Sequence, residues 1–306
     1  MTGTALEHNA LVYDGVAEYL ATVVPFLREG LEAGDAVFAV LPGPRLEALR
    51  DVLGRAGGQI TYVEAGTFYR HPVRALQDYD RLVRAHAPRR VRVAGERNWS
   101  ADARWETAEW IRYETLVNTV FARSGARVVC AYDRNAVDAG IVEEARRAHP
   151  QMIVGGDRRA NGGYEDSPVP GPDRGRPAPP ADACHLPFGS AFELYQVRRF
   201  VTARASAHGL DAGRLAALET AVTEVATNAL KHGAAPMGVR VWSQGGEFVC
   251  EVGDHGRWRA GAPTGFAPPG SALDSGFGLW TVRLLMDAVR LYADRDGTFV
   301  RLVMRG

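Results

Sequence analysis

Apolar positions fall at helical spacing over "YDGVAEYLATVVPFLREGLEAGD" (13–35), which Gly34-Asp35 closes, and predict an amphipathic helix. "AVFAVLP" (36–42) follows as a short apolar run stopped at Pro42-Gly43, the pattern of a strand buried on both faces of a parallel sheet. The same alternation continues: helix over "PRLEALRDVLGRAGG", strand over "QITYVEA", strand over "RRVRVAGE", helix over "ADARWETAEWIRYETLVNTVFARSG", strand over "ARVVCAYD". Helices alternating with buried strands predict a three-layer α/β sandwich. In "DSPVPGPDRGRPAPPAD" (166–182) six of seventeen residues are proline, which excludes helix or central strand and predicts a semi-extended tether. Two domains are expected, 1–165 and 183–306.

Beyond the tether the pattern changes. "ACHLPF" reads as a strand, and "AFELYQVRRFVTARASAHG" as a helix. A second helix should start at the N-cap Asp211 and stop at Gly233, with Leu215, Leu218, Val222, Val225 and Ala229 as its core face. "GVRVWSQGGEFVCEVGDHG" and "RLYADRDGTFVRLVMR" read as hairpins, the latter turned at Asp296-Gly297. The expectation is a two-layer α+β sandwich, helices on one face of a mixed, mostly antiparallel sheet.

Bulk composition narrows the function. Lys+Arg and Asp+Glu both total 36, so the large basic excess of a general nucleic-acid or membrane-surface binder is missing. Cys130, Cys184 and Cys250 form no CxxC pair and fit a reducing compartment. With no signal-like N-terminus and no long apolar run, a cytoplasmic protein without a membrane span is expected. No G-x-x-x-x-G-K-[ST] is present, which argues against Walker-type chemistry.

Candidate chemistry concentrates in the C-terminal half, around "TAVTEVATNALKHG" (220–233), which holds the single lysine of the chain. Glu224 and Asn228, four apart, share one side of the second helix, away from its core stripe. An amide oxygen is a hard neutral ligand for Mg²⁺, and a carboxylate can accept a proton from an attacking hydroxyl. Asp254 ends a strand and can accept from an exocyclic amine, and Gly256 leaves room for a flat ligand. A long loop of Gly, Pro and small residues (257–276) reads as disorder or a lid. It leads into a helix opened by Gly276 and Gly278, whose free N–H groups suit phosphate. Each signal alone is weak, and a solvated polar pair or a plain Asp-Gly turn is the bland alternative.

In this order, E-x-x-x-N-A, D-x-G, a lid, G-x-G and "DGT", the segment resembles the GHKL, or Bergerat-fold, ATP-binding domain, most closely its anti-sigma-factor serine/threonine kinase branch. The resemblance implies ATP and Mg²⁺ as cofactors. It implies Asn228 as Mg²⁺ ligand, Glu224 as general base, Asp254, Gly256 and Thr298 around adenine, and Gly276 and Gly278 at the phosphates. Lys231 could reach a phosphate, or simply complement the helix C-terminus. It further implies a STAS-domain anti-sigma antagonist as phosphoacceptor, contact with a sigma factor, and homodimerisation. None of the eight histidines sits on a long heptad-patterned helix, so a self-contained histidine kinase is not expected. The alternatives are a non-catalytic nucleotide-dependent binding module, or a histidine-kinase-like domain acting on an acceptor in trans.

The N-terminal stretches "HNALVY", "PFLREGLEAGDAV", "AGERNW", "YETLVN", "CAYD", "AHP" and "NGGY" resemble the MEDS sensory domain, a RecA-like α/β module without a working P-loop. The resemblance implies a small-molecule sensor. His8, Tyr13, Glu96, Trp99, Cys130, Asp133 and His149 are the polar or reactive residues on its pattern, with Glu96 beside Trp99 as the centre of a ligand pocket. The spacings of His8, Cys130, Asp133 and His149 match no metal-ligand template.

Overall fold

A computed structural model describes residues 5–99, 104–166, 172–173, 175–259, 265–266 and 277–305, the side chains of 104, 105 and 277 excepted. The chain divides into two units, Met1–Pro170 and Gly171–Gly306.

The first unit runs β1 (Glu7–Tyr13), α1 (Gly15–Glu32), β2 (Ala36–Leu41), α2 (Gly43–Leu53), β3 (Thr61–Glu64), α3 (Ala65–Phe68), α4 (Pro72–His86), β4 (Val91–Glu96), α5 (Arg104–Val120), β5 (Arg127–Asp133), α6 (Ala139–Ala148), β6 (Gln151–Val154) and β7 (Asp157–Ala160). Its sheet has the order β3-β2-β4-β5-β1-β6-β7. Six strands are parallel, and only the short, polar β7 pairs antiparallel, as an edge. This is the expected three-layer α/β fold.

Six of these elements escape a reading based on apolar runs, the four-residue α3 among them. β1 lies in the middle of the sheet but opens with His8 and Asn9, both buried, where a hydrophobe would be expected. In α4 the buried Val73, Ala75, Leu76 and Tyr79 are interspersed with charges. Likewise α6, β6 and β7 are short or polar.

Strand alternation sets the two faces of this sheet. Leu11 and Tyr13 of β1, Ala94 of β4, and Val129 and Ala131 of β5 pack with Tyr19, Val23 and Leu27 of α1. On the other face His8, Val91, Val93, Val128 and Cys130 meet Tyr79 of α4 and Tyr113 and Val117 of α5.

The second unit runs β8 (Cys184–Phe188), α7 (Leu194–His208), α8 (Ala212–His232), β9 (Met237–Gln244), β10 (Glu247–Asp254), α9 (Phe277–Leu285), β11 (Ala288–Asp294) and β12 (Gly297–Arg305). Its sheet, β11-β12-β10-β9-β8, is antiparallel throughout rather than mixed. The last hairpin pairs Asp294 with Gly297, so it turns on Arg295-Asp296, and Gly297 already belongs to β12. One core joins the helices to one sheet face, with Leu218, Val222, Val225 and Ala229 of α8 against Cys250, Val252 and Leu302.

The opposite face carries charge. Glu251, 1% exposed, accepts hydrogen bonds from both Arg176 and Arg301. Arg301 also donates to the carbonyl of Pro177, and Arg176 lies over the ring of Phe299. Asp173 forms a bridge with Tyr292, so the described part of the proline-rich stretch is fastened along this sheet. Among the described residues no helix is long and apolar enough to cross a membrane.

Candidate functional site

In the second unit the site is assembled by the C-terminal half of α8 and by what abuts it. Asp211 caps the helix start, its carboxylate accepting from the Arg214 N–H at 2.9 Å. Further along, one helical turn apart, Glu224 and Asn228 are half-buried on the side away from the core stripe. Gly278, in the first turn of α9, lies directly against them. A Cβ there would come within 3.0 Å of Glu224 Oε2 and 3.8 Å of Asn228 Nδ2. Thus the second glycine of "GFG" is a contact residue of the carboxylate–amide pair. Gly276 lies outside the described residues, as does most of the loop expected to form a lid.

At the helix C-terminus, Asp254 Oδ1 accepts from the N–H of Gly256 at 2.6 Å and of Ala234 at 3.3 Å. Asp254 is 7% exposed, and burial raises its pKa, with those two N–H groups pulling the other way. Thr298 is the cross-strand partner of Asp254 and donates its hydroxyl to the carbonyl of Gly256 at 3.2 Å. Gly233 stops α8 in extended backbone, φ −87°, not in the left-handed conformation of a usual glycine cap. Its reason is space: a Cβ would collide with the Asp254 carboxylate. Lys231 and His232 are exposed, and Lys231 has no ion pair among the described residues. This half of α8 therefore presents a carboxylate and an amide under a glycine-bearing helix start. Beside it sits a buried carboxylate framed by two glycines and a threonine.

In the first unit six of the seven expected pocket residues separate into two groups on opposite sheet faces. Tyr13, Glu96 and Asp133 lie at the C-terminal ends of neighbouring parallel strands, on the α1 face. Arg45 of α2, absent from the expected set, ties them together. It donates to Tyr13 Oη at 3.1 Å and Asp133 Oδ2 at 2.9 Å, and its Nε lies 3.6 Å from Glu96 Oε2. Tyr13 in turn donates to Glu96 Oε1 at 2.9 Å. Burial lifts the Glu96 carboxyl to about 7, against the opposing pull of Tyr13 and Arg45.

His8, Cys130 and His149 face the other way and converge with Glu114 of α5. Asp133 is not among them, because it lies three positions from Cys130 along one strand and strand faces alternate. His149 is fully buried, and burial holds its imidazole down at about 3. Trp99 is not among the converging groups of either cluster; it is buried, stacks on Tyr132 and lies beside Glu114. Glu114 and Asn118, i and i+4 within "YETLVN", were the available signal for this second cluster.

A parallel sheet with a polar cluster at its strand ends, and a separate helix-backed sheet with a carboxylate–amide pair, mark out an α/β domain followed by an α+β domain with a candidate ligand site. Residues 7–150 match the MEDS family (MEthanogen/methylotroph, DcmR Sensory domain) and residues 190–304 match the histidine kinase-like ATPase domain. The chain is a MEDS domain joined to a GHKL-type, histidine kinase-like ATPase domain.

The transcriptional repressor DcmR of Methylorubrum extorquens is 26% identical over 153 residues, 47% of this chain and 58% of that protein. The match thus spans little more than half of that relative. Among solved structures, the RsbU and RsbW domains of Rv1364c from Mycobacterium tuberculosis align at 22% identity and TM-score 0.32, over 41% of this chain and 33% of that one. The histidine kinase AdeS of Acinetobacter baumannii aligns at 12% identity and TM-score 0.27, over 40% of this chain and 67% of that one.

Proposed function

We propose that the protein is a cytoplasmic signalling regulator whose C-terminal domain is an ATP-dependent serine/threonine kinase, gated by the N-terminal sensory domain. The phosphoacceptor is a hydroxyl on a STAS-domain anti-sigma antagonist, and a sigma factor is a second partner of a homodimeric kinase. The observation that carries this reading is the seat of Gly278 against Glu224 and Asn228. It brings the start of α9 close over a carboxylate and an amide with no side chain between its backbone and that pair, as a backbone approach to phosphate requires.

The residues present suit Mg-ATP. Asn228 offers a neutral amide oxygen for the cation. Asp254, buried yet bonded through Oδ1 to two N–H groups, can accept from the adenine amine through Oδ2. Thr298 holds the Gly256 carbonyl in place at the edge of that pocket. Bound Mg-ATP supplies the transferable phosphoryl group and the cation that neutralises it. Glu224 takes the proton of the attacking hydroxyl, and Lys231, exposed at the helix end, can offer a point charge to a phosphate.

Intact-mass spectrometry of the protein mixed with Mg-ATP and each STAS-domain protein of the same genome tests the proposal. One phosphate gained by one partner, and lost with Asn228→Ala and Glu224→Ala, is expected. Nucleotide binding without transfer to any partner would leave a nucleotide-dependent binding module instead.

A further inference from the structure

His8, Glu114, Cys130 and His149 come from β1, α5, β5 and the residue after α6, and no sequence spacing links them. Their ligand atoms nevertheless lie within 4.8 Å of one another. His8 Nε2 is 3.4 Å from Cys130 Sγ and 3.5 Å from Glu114 Oε2. Cys130 Sγ is 3.5 Å and His149 Nε2 is 3.6 Å from that same carboxylate oxygen. In a tetrahedron the ligand–ligand edge is roughly 1.6 times the metal–ligand bond, so zinc bonds of about 2.0 to 2.3 Å give edges of about 3.3 to 3.7 Å. Four of the six edges already have that length.

The outer hydrogen bonds fix what the inner atoms can be. Asn118 spends its amide N–H on the carbonyl of Ala148 at 2.6 Å, so its Oδ1 accepts from His8 Nδ1 at 2.9 Å. His149 Nδ1 is 2.7 Å from the carbonyl of Ala145, which can only accept. In its neutral form each imidazole therefore carries its proton outward and turns its Nε2 lone pair inward, the tautomer in which a metal-binding histidine is held. Inside face two nitrogen lone pairs and a carboxylate, with the Cys130 S–H as the one inward donor among the four. His149 Nε2 is buried and has no hydrogen-bond partner among the described residues. A bound cation would satisfy these inward-facing acceptors together.

We infer that these four side chains, two imidazoles, one thiolate and one carboxylate, form a tetrahedral site for a divalent transition metal of the zinc class. Such mixed donors select this ion over Mg²⁺ or Ca²⁺, which prefer all-oxygen shells. A small apolar cavity of about 10 Å³ borders His8 and Cys130 between β4, β5 and α5. Its valine and aromatic walls shield the site from bulk water on that side. The site does not depend on the kinase reading.

The test uses the full chain, purified without a histidine tag and dialysed against a chelator. Zinc added back should bind at one equivalent per chain by mass spectrometry. At a hundredfold excess over Kd, the melting of the N-terminal domain should rise by about 5 to 10 °C. Co²⁺ in place of zinc should give a thiolate-to-metal charge-transfer band that survives Cys184→Ser and disappears with Cys130→Ser. His149→Gln should lower zinc affinity at least tenfold. Absence of uptake, or uptake undiminished in Cys130→Ser and His149→Gln, would overturn the assignment. Should those two variants misfold, the Co²⁺ band of the Cys184→Ser protein decides alone, and its absence counts against the site.

Discussion

Arg92 is a full charge with no exposed surface, set in a central strand at a position where a hydrophobe would be expected. It survives because Asp35, Glu29 and the carbonyl of Phe26 surround its guanidinium, and because Gly30 of α1 leaves room for it. Replacing it leaves buried Asp35 unpaired, so Arg92→Met should lose about 3 to 5 kcal/mol in urea unfolding. Arg92→Met with Asp35→Leu should recover most of that loss. Glu96 works in the opposite sense. Its folded carboxyl sits at about 7 against an ordinary 4.5, so between those values the native state keeps a proton the unfolded chain has lost. Stability therefore falls as pH rises through that window, by about 3 kcal/mol in all. Glu96→Gln should flatten this slope when unfolding is followed at about pH 5 and pH 8. Single residues were unevenly legible. Glu224, Asn228 and Asp254 stand out because their types and order carry chemistry. Arg45 and Glu114 do not, because only the fold brings them to Tyr13 and His8.

At the level of the element, α8 was readable from its cap through its apolar stripe to its stop at Gly233. The reason for that glycine was not legible: it is the Asp254 carboxylate pressed against it rather than a left-handed cap. Gly278 is governed by the same kind of closeness. Gly278→Val should weaken nucleotide binding at least tenfold by calorimetry, with the far-ultraviolet spectrum unchanged, since the clash is with Glu224 and not with the core. The less legible elements have a common cause. β1 and α4 carry their buried residues among charged or ligand-type ones, so periodicity is blurred where function or ion pairing occupies the interior. The proline-rich stretch reads as a semi-extended tether, and part of it is held to the sheet by Arg176 on Glu251. Arg176→Ala should speed proteolytic cleavage within 172–182 while leaving the sheet intact.

For the molecule as a whole, the change from alternating helix and strand to paired hairpins marks out two architectures, and both were legible because each obeys its own period. What was not legible is how far the first domain's chemistry divides. If the sensory domain gates the kinase, linkage requires reciprocity. The factor by which zinc changes nucleotide affinity must equal the factor by which nucleotide changes zinc affinity. Paired calorimetric titrations should return two equal factors; a common factor of one would show that zinc is not the ligand through which the domains are coupled. The sheet between the two N-terminal clusters adds a constraint of parity. His8 and Tyr13 are an odd number of positions apart on one strand, as are Cys130 and Asp133 on its neighbour. Inserting or deleting a single residue between the members of either pair would carry one of them through the sheet to the wrong side. Lineages of this domain can lengthen or shorten those intervals only in twos, so indel parity along β1 and β5 is a readable trace of two sites back to back on one sheet.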